Sequence, residues 1–177
     1  MDLVNKKEIK FMLQQLKQGF TLIEMMVVIA IVSIMATMAI PTYQNVIIRA
    51  QINEAMALTD ELTKIISAHY KIKKEFPIDN DAANVPAPEH LIGNYVTEIR
   101  IDSGAIHITL GNRINAHVKE KVLTLRPAIV TDNPNSPISW VCGYAEAVDG
   151  MEAIGINNTT VPSLYLSYNC RAWKDNF

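Results

Sequence analysis

An uninterrupted apolar run near the amino terminus is the feature that most constrains this chain. Residues 20–40 read FTLIEMMVVIAIVSIMATMAI, and Glu24 is the one charged residue among them. As a helix, these residues would be about 31 Å long, close to the roughly 30 Å thickness of the bilayer hydrocarbon. Beyond Glu24 the polar members are Ser33 and Thr37, whose hydroxyls can bond to carbonyls of their own helix. The sequence therefore predicts a helix that can span a membrane.

The segment before this run is basic. Residues 1–19 carry a net charge of +2 from the side chains Lys6, Lys7, Lys10, Lys17, Asp2 and Glu8. Positive charge before an apolar helix holds that end in the cytoplasm, so the chain beyond residue 40 is expected to face outward. A secretory signal would place its small residues after the apolar region. Here Gly19 precedes it, so removal of residues 1–19 would leave the apolar helix on the mature protein.

Residues 17–24, KQGFTLIE, resemble the prepilin-peptidase motif of type IV pilins and their relatives. This resemblance implies that prepilin peptidase cleaves between Gly19 and Phe20 and that the new amino group of Phe20 is N-methylated. Glu24 would then be the fifth residue of the mature chain. Because the whole chain carries −2 and the leader +2, the mature chain would carry −4.

The carboxylate of Glu24 needs an explanation of its own. An unpaired charge in hydrocarbon costs at least about 2.5 kcal/mol, so such a group requires a partner or a proton. The family resemblance implies a partner: the Phe20 amine of a neighbouring subunit, which would drive association and set the axial stagger between subunits. The alternative is a carboxylate that is simply solvated among the lipid headgroups.

Beyond the apolar run, Pro41 is expected to bend or locally melt the helix, because it cannot donate a hydrogen bond to the carbonyl of Thr37. Residues 42–76 contain neither glycine nor proline, and helical periodicity resumes there. The predicted buried stripe consists of Ala50, Leu58, Leu62, Ile65, Ile66 and His69. One long helix from Phe20 to about Tyr70 is predicted, apolar all round in residues 20–40 and amphipathic in residues 41–75.

The remainder, residues 76–177, is predicted to form a globular α+β head. A loop over about 76–94 is rich in Pro, Asp and Asn. Alternating residues then predict a hairpin at 99–101 and 106–110, in which His107 faces solvent. Two further strands are predicted at 122–126, ended by Pro127, and at 138–142. Four antiparallel strands would bury one face against the helix stripe, as in the heads of type IVa pilins.

Two cysteines, Cys142 and Cys170, lie in this head. Pairing is favoured if the head is exported to an oxidising compartment, although two thiols do not by themselves establish a disulfide. The residues around Cys170 resemble the disulfide-bounded C-terminal loop of type IVa pilins, which implies that the two cysteines are bonded. Two buried free thiols are the alternative.

No motif for chemistry is found. The histidines His69, His90, His107 and His117 lack metal-ligand spacing, and no phosphate loop, nucleophile elbow or paired-carboxylate motif occurs. Asn157 and Asn158 each begin an Asn-x-Thr tripeptide, a weak indication of glycosylation. We expect no catalysis, no cofactor and no metal.

The resemblance implies a structural subunit of a type IVa pilus that polymerises with copies of itself through its N-terminal helix, for motility, adhesion or DNA uptake. It implies a single-pass inner-membrane precursor with a cytoplasmic amino terminus, an inner-membrane assembly platform, and finally an extracellular filament. An alternative is a minor or competence pilin whose head binds DNA, which the charge of −4 disfavours. A type II secretion pseudopilin is a second alternative, which the cysteine pair disfavours.

Overall fold

A computed structural model of the chain describes residues 19–131, 133 and 135–172, and for residues 38–42 it describes the backbone alone. Residues 1–18 of the predicted leader (residues 1–19) and the side chain of Pro41 therefore lie outside the described part. The chain divides into two compact units, one ending at Thr42 and one beginning at Tyr43. The kink expected at Pro41 stays a prediction.

Two helices occupy the region where one was predicted. Helix α1 spans Leu22–Ala57 and helix α2 spans Asp60–Lys73. Between them, both the backbone N–H and the hydroxyl of Thr59 donate to the carbonyl oxygen of Met56, at 2.9 and 2.7 Å. This tight turn replaces the regular helical bonding at residues 58–59, because the short Thr59 side chain competes for a backbone acceptor. The expectation of one unbroken helix to Tyr70 is thus corrected.

The buried face of the helices also differs from the predicted stripe. Its members recur at steps of three and four: Ile48, Ile52, Ala55, Thr59, Leu62, Ile66 and Tyr70. Leu62 and Ile66 were predicted correctly. Ala50 and Leu58 are exposed, and Ile65 and His69 are half-buried. The predicted set mixed two adjacent faces of the helix, whereas the observed set follows one line at the helical period.

A five-stranded antiparallel sheet forms the other layer of the core. Its strands are β1 Val96–Asp102, β2 Ala105–Leu110, β3 Val122–Ile129, β4 Ser139–Cys142 and β5 Glu152–Ala153. The order is β1-β2-β3-β4, and β5 pairs with β3. The predicted α+β class is confirmed, and the sheet contains a fifth strand, β5, besides the four that were predicted. β3 continues through Pro127, which was expected to end it.

The inner face of the sheet packs on the helices through aliphatic side chains that are at most 6% exposed: Ile99, Ile101, Ile106, Ile108, Leu110, Leu123 and Leu125. The outer face was expected to meet solvent, and His107 with it. His107 is instead only 6% exposed. That prediction is wrong because residues C-terminal to β5 cover the outer face of β2 and β3, so both faces of the sheet are covered there.

Among the described side chains, no helix combines the length and the apolar character of a membrane span. The span predicted over residues 20–40 is therefore not shown by the structure.

Candidate assembly site

The amino-terminal end of α1 carries the residues of the predicted assembly motif. Gly19 and Phe20 precede the helix in a non-helical segment, and the Phe20 side chain is 79% exposed. The peptide bond between them is thus outside regular structure. A protease can bind such a segment in an extended form without first unwinding a helix.

Thr21 and Glu24 form a reciprocal cap at the start of α1. The Thr21 N–H donates to Glu24 Oε2 at 2.8 Å, and the Glu24 N–H donates to Thr21 Oγ1 at 3.3 Å. The Thr21 hydroxyl also donates to Glu24 Oε2 at 2.7 Å. This is the capping box that Thr-x-x-Glu sequences form at a helix N-terminus.

No role was expected for Thr21 from the sequence. The signal was present, since a threonine three residues before a glutamate precedes an apolar run. The cap orients the Glu24 carboxylate toward Thr21, the residue that follows Phe20. It also gives the carboxylate a favourable place beside the positive end of the helix dipole.

The part of α1 that follows, up to residue 37, is exposed on every side. All described side chains in residues 19–37 are exposed, among them Leu22, Ile23, Met25, Met26, Val27, Val28, Ile29, Ile31, Val32, Ile34 and Met35. The hydroxyls of Ser33 and Thr37 donate to the carbonyls of Ile29 and Ile34, at 2.6 and 2.8 Å, so they need no outside partner. An apolar surface of this extent requires cover by lipid or by other helices.

In the head, Cys142 and Cys170 form a disulfide with a Cα–Cα distance of 4.6 Å. This is the pair that the family resemblance implied. The bond closes a loop between residues 28 positions apart. Gly143, directly after the first cysteine, has φ +58°, and a Cβ there would lie 2.6 Å from the carbonyl oxygen of Cys170. The crossing of the two chain segments at the disulfide therefore requires glycine at this position.

Arg49 links α1 to the closed loop. Its Nε and Nη2 atoms donate to the carbonyl oxygen of Leu164 at 3.1 and 2.8 Å. Arg171 donates to the same oxygen at 3.4 Å and to that of Leu166 at 3.0 Å. Two guanidinium groups thus hold residues 164–166 in place, one from the helix and one from beside the disulfide.

These features, an exposed apolar helical segment and a disulfide-closed α+β head, define a protein of the pilin-fold class. A model for pilin, a bacterial filament protein, matches residues 48–171, and a model for the prokaryotic N-terminal methylation motif matches residues 15–40. The chain belongs to the pilin family.

Curated relatives match over most of the chain. A type IV major pilin protein, PilE1, of Neisseria gonorrhoeae is 33% identical over 162 residues, which is 88% of each chain. A fimbrial protein of Neisseria meningitidis serogroup B is 31% identical over 90% of this chain and 97% of its own length. The fimbrial protein EcpC of Eikenella corrodens is 37% identical over 74% of this chain and 85% of its own.

Proposed function

We propose that this chain is the structural subunit of a type IV pilus and that it polymerises with copies of itself through α1 into a surface filament. The observation that carries the proposal is the capped Glu24 carboxylate at the start of an apolar segment of α1 that is exposed on all sides up to residue 37. The pilin family and the N-terminal methylation motif support it. The alternative of a minor pilin whose head binds DNA is not favoured, since the Neisseria relatives are major pilin and fimbrial proteins.

Maturation precedes assembly in this proposal. Prepilin peptidase cuts between Gly19 and Phe20, and the Phe20 amine is then methylated. The motif in residues 15–40 supports this step, as does the non-helical segment at the bond to be cut. The head itself takes no part in catalysis; the chain is the substrate of the enzyme that trims it.

Before assembly, the precursor resides in the inner membrane with its amino terminus in the cytoplasm, where it meets the assembly platform. The net charge of +2 in residues 1–19 and the apolar run 20–40 support this orientation. In the filament, the apolar surface of α1 exchanges lipid for the helices of neighbouring copies. Motility, adhesion and DNA uptake are the processes that such a filament would serve.

Glu24 selects the correct stagger between copies. The carboxylate pairs with the Phe20 amine of a neighbour, so both charges are neutralised where water is absent. Pairing of opposite charges in a low dielectric is strong, and leaving one of them alone costs several kcal/mol. Any other stagger would leave a carboxylate and an amine unpaired among apolar side chains.

The test uses Glu24→Ala, with Ser33→Ala as the matched control. Both variants replace a polar residue of α1, but Ser33 bonds only within its own helix. We expect Glu24→Ala to be exported and cleaved normally while filaments, counted by electron microscopy, fall at least about tenfold. Ser33→Ala should assemble as the parent does. Abundant normal filaments from Glu24→Ala would contradict the pairing.

A further inference from the structure

His107 is a buried titratable residue that the proposed function does not use. It lies on the outer face of β2 and is 6% exposed. Its Nδ1 atom is 3.0 Å from the hydroxyl oxygen of Thr124, its partner across the β2–β3 ladder. Its Nε2 atom is buried and has no hydrogen-bond partner among the described residues.

The residues that cover His107 form a strap, which we define as residues 154–161. The strap begins at the β2 edge of β3, where the Ile154 N–H donates to the Pro127 carbonyl at 2.8 Å. It reaches the β4 edge of β3 at Thr160, whose N–H donates to the Val122 carbonyl at 2.8 Å. Since neighbouring residues of a strand bond to opposite edges, the strap crosses the outer face of β3 between these points.

The strap bonds to the same hydroxyl as His107. The Asn158 N–H donates to Thr124 Oγ1 at 3.1 Å, so Thr124 joins the strap to the imidazole. Further along, a Cβ on Gly155 would lie 2.7 Å from the Cβ of Ala105, the outward-facing neighbour of His107 on β2. The strap thus passes over the outer face on both sides of the imidazole.

Between Ile154 and Thr160 the strap is joined to β3 by hydrogen bonds, whereas Val161 at its end is part of the apolar core. On the same face of β3, Arg126 Nε is a second buried atom without a partner in the described part of the chain. The inner face of the same strands is purely aliphatic by contrast. The outer layer therefore depends on hydrogen bonds, which contribute less net stability than apolar burial and are sensitive to the charge of their members.

No carboxylate of the strap can compensate a charge on His107, because the strap sequence IGINNTTV contains no ionisable side chain. The other charged groups on the outer face are Glu98, Arg100 and Asp102 on β1 and Arg126 on β3. Arg100 is the cross-strand neighbour of His107 and disfavours a second cation. The carboxylate of Asp102 favours a positive charge on His107. Glu98 forms an ion pair with Arg100 instead, with 3.6 Å between Glu98 Oε1 and Arg100 Nη2.

We propose that His107 is a pH-sensitive latch for the strap: it holds the strap closed when neutral and releases it when protonated. Protonation makes both ring nitrogens donors, so Nδ1 can no longer accept the Thr124 hydroxyl proton. It also places a positive charge on a buried ring whose cross-strand neighbour is Arg100, and a buried charge without a partner is costly. Opening the strap brings the imidazolium to water. Residues 154–160 of the strap then move between two fixed ends, β5 and the buried Val161, while the aliphatic core, to which Val161 belongs, stays folded.

Hydrogen exchange on the full-length chain in detergent tests this latch. Protection factors, corrected for intrinsic exchange, are compared at pH 7.5 and 5.5 for the strap amides Asn158 and Thr160 and for Leu110. The Leu110 N–H donates to the carbonyl oxygen of Lys121, the residue before β3. We expect the protection factors of the strap amides to fall about tenfold at the lower pH. A tenfold change is expected when opening takes up one proton and the pH falls by one unit in the range where that proton binds. Leu110 should change less than about twofold.

A His107→Gln variant gives the matched control, since glutamine keeps a polar side chain on the outer face but does not titrate in this range. Its strap should keep the same protection at both pH values. The proposal is wrong if the strap amides and Leu110 lose protection in parallel in the parent chain, or if the protection of the strap does not depend on pH. It is also wrong if the strap amides of His107→Gln still lose protection at pH 5.5.

Discussion

The Asn80 side chain takes the place of a strand partner for Ile101 at the free edge of β1. Its Oδ1 accepts the Ile101 N–H at 2.8 Å, while its Nδ2 donates to the carbonyls of Ile99 and Pro86 at 3.1 and 2.9 Å. Asn80 itself is 4% exposed. One side chain from the loop thus satisfies the edge of the sheet, which would otherwise present unpaired backbone groups.

Asn80→Ala should destabilise the head by about 1–3 kcal/mol, because it leaves the buried N–H of Ile101 without an acceptor. Asn53→Ala is the matched control, since Asn53 lies exposed on α1 and should change the free energy of unfolding by less than about 0.5 kcal/mol. Denaturant unfolding measures both. Equal stabilities for the two variants would show that Asn80 does not hold this edge.

The disulfide should contribute about 3–4 kcal/mol, as expected for a loop between cysteines 28 positions apart. We expect the double variant Cys142→Ser, Cys170→Ser to melt well below the parent and to be indifferent to reductant. The parent should fall toward the variant when dithiothreitol is added. A parent whose melting temperature is the same with and without reductant would argue against a contribution of the bond to stability.

Gly143→Ala should destabilise the same region by a different route. The φ of +58° is costly for any residue with a Cβ, and that Cβ would meet the Cys170 carbonyl oxygen at 2.6 Å. Gly150→Ala is the matched control, because its φ is also positive, +87°, but no atom lies within 4 Å of its Cβ position. We expect a larger drop in melting temperature at position 143; equal drops would mean that φ alone sets the cost.

Burial under the strap lowers the pKa of His107 below its ordinary value, with Arg100 lowering it further and Asp102 opposing. A histidine whose folded-state pKa is lowered stays neutral in the native state while the unfolded chain takes up a proton. Its contribution to stability is therefore complete above about pH 6.5 and is lost as the pH falls below that value. The melting temperature of the parent should decline over this range, and that of His107→Gln should decline less. Identical profiles would remove His107 as the cause.

Local sequence patterns predicted the secondary structure well, because helical period and strand alternation act over a few residues. The hairpin around residues 103–104 and the strand ending at Cys142 are examples. The burial of His107 could not be predicted from alternation, since the strap that covers it lies some fifty residues further along the chain. The role of Asn80 was hidden for the same reason: its partners Ile99 and Ile101 come from a different element.

The assembly motif was open to prediction because it is compact. Residues 17–24 contain the proposed cut site, the amine and the carboxylate in one stretch. The role of Thr21 was missed although its spacing from Glu24 indicates a capping box, and the contacts between the two residues establish it. The break at Thr59 was missed because neither glycine nor proline marks it.

Thr21→Val should weaken assembly, because it removes the side-chain acceptor of the capping box at a typical cost of about 1 kcal/mol and leaves Glu24 less well oriented. Thr21→Ser keeps the hydroxyl and should assemble as the parent does. Filament yield by electron microscopy measures the difference. Equal yields from the two variants would mean that the cap has no part in assembly.

A cryo-electron microscopy reconstruction of filaments made from this chain would test the central claim most directly. We expect each subunit to begin at Phe20, with its amino nitrogen within about 4 Å of the Glu24 carboxylate of a neighbouring copy, the usual limit for an ion pair. A filament whose subunits begin at Met1, or one in which the Glu24 carboxylate lies far from every Phe20 amine, would contradict it.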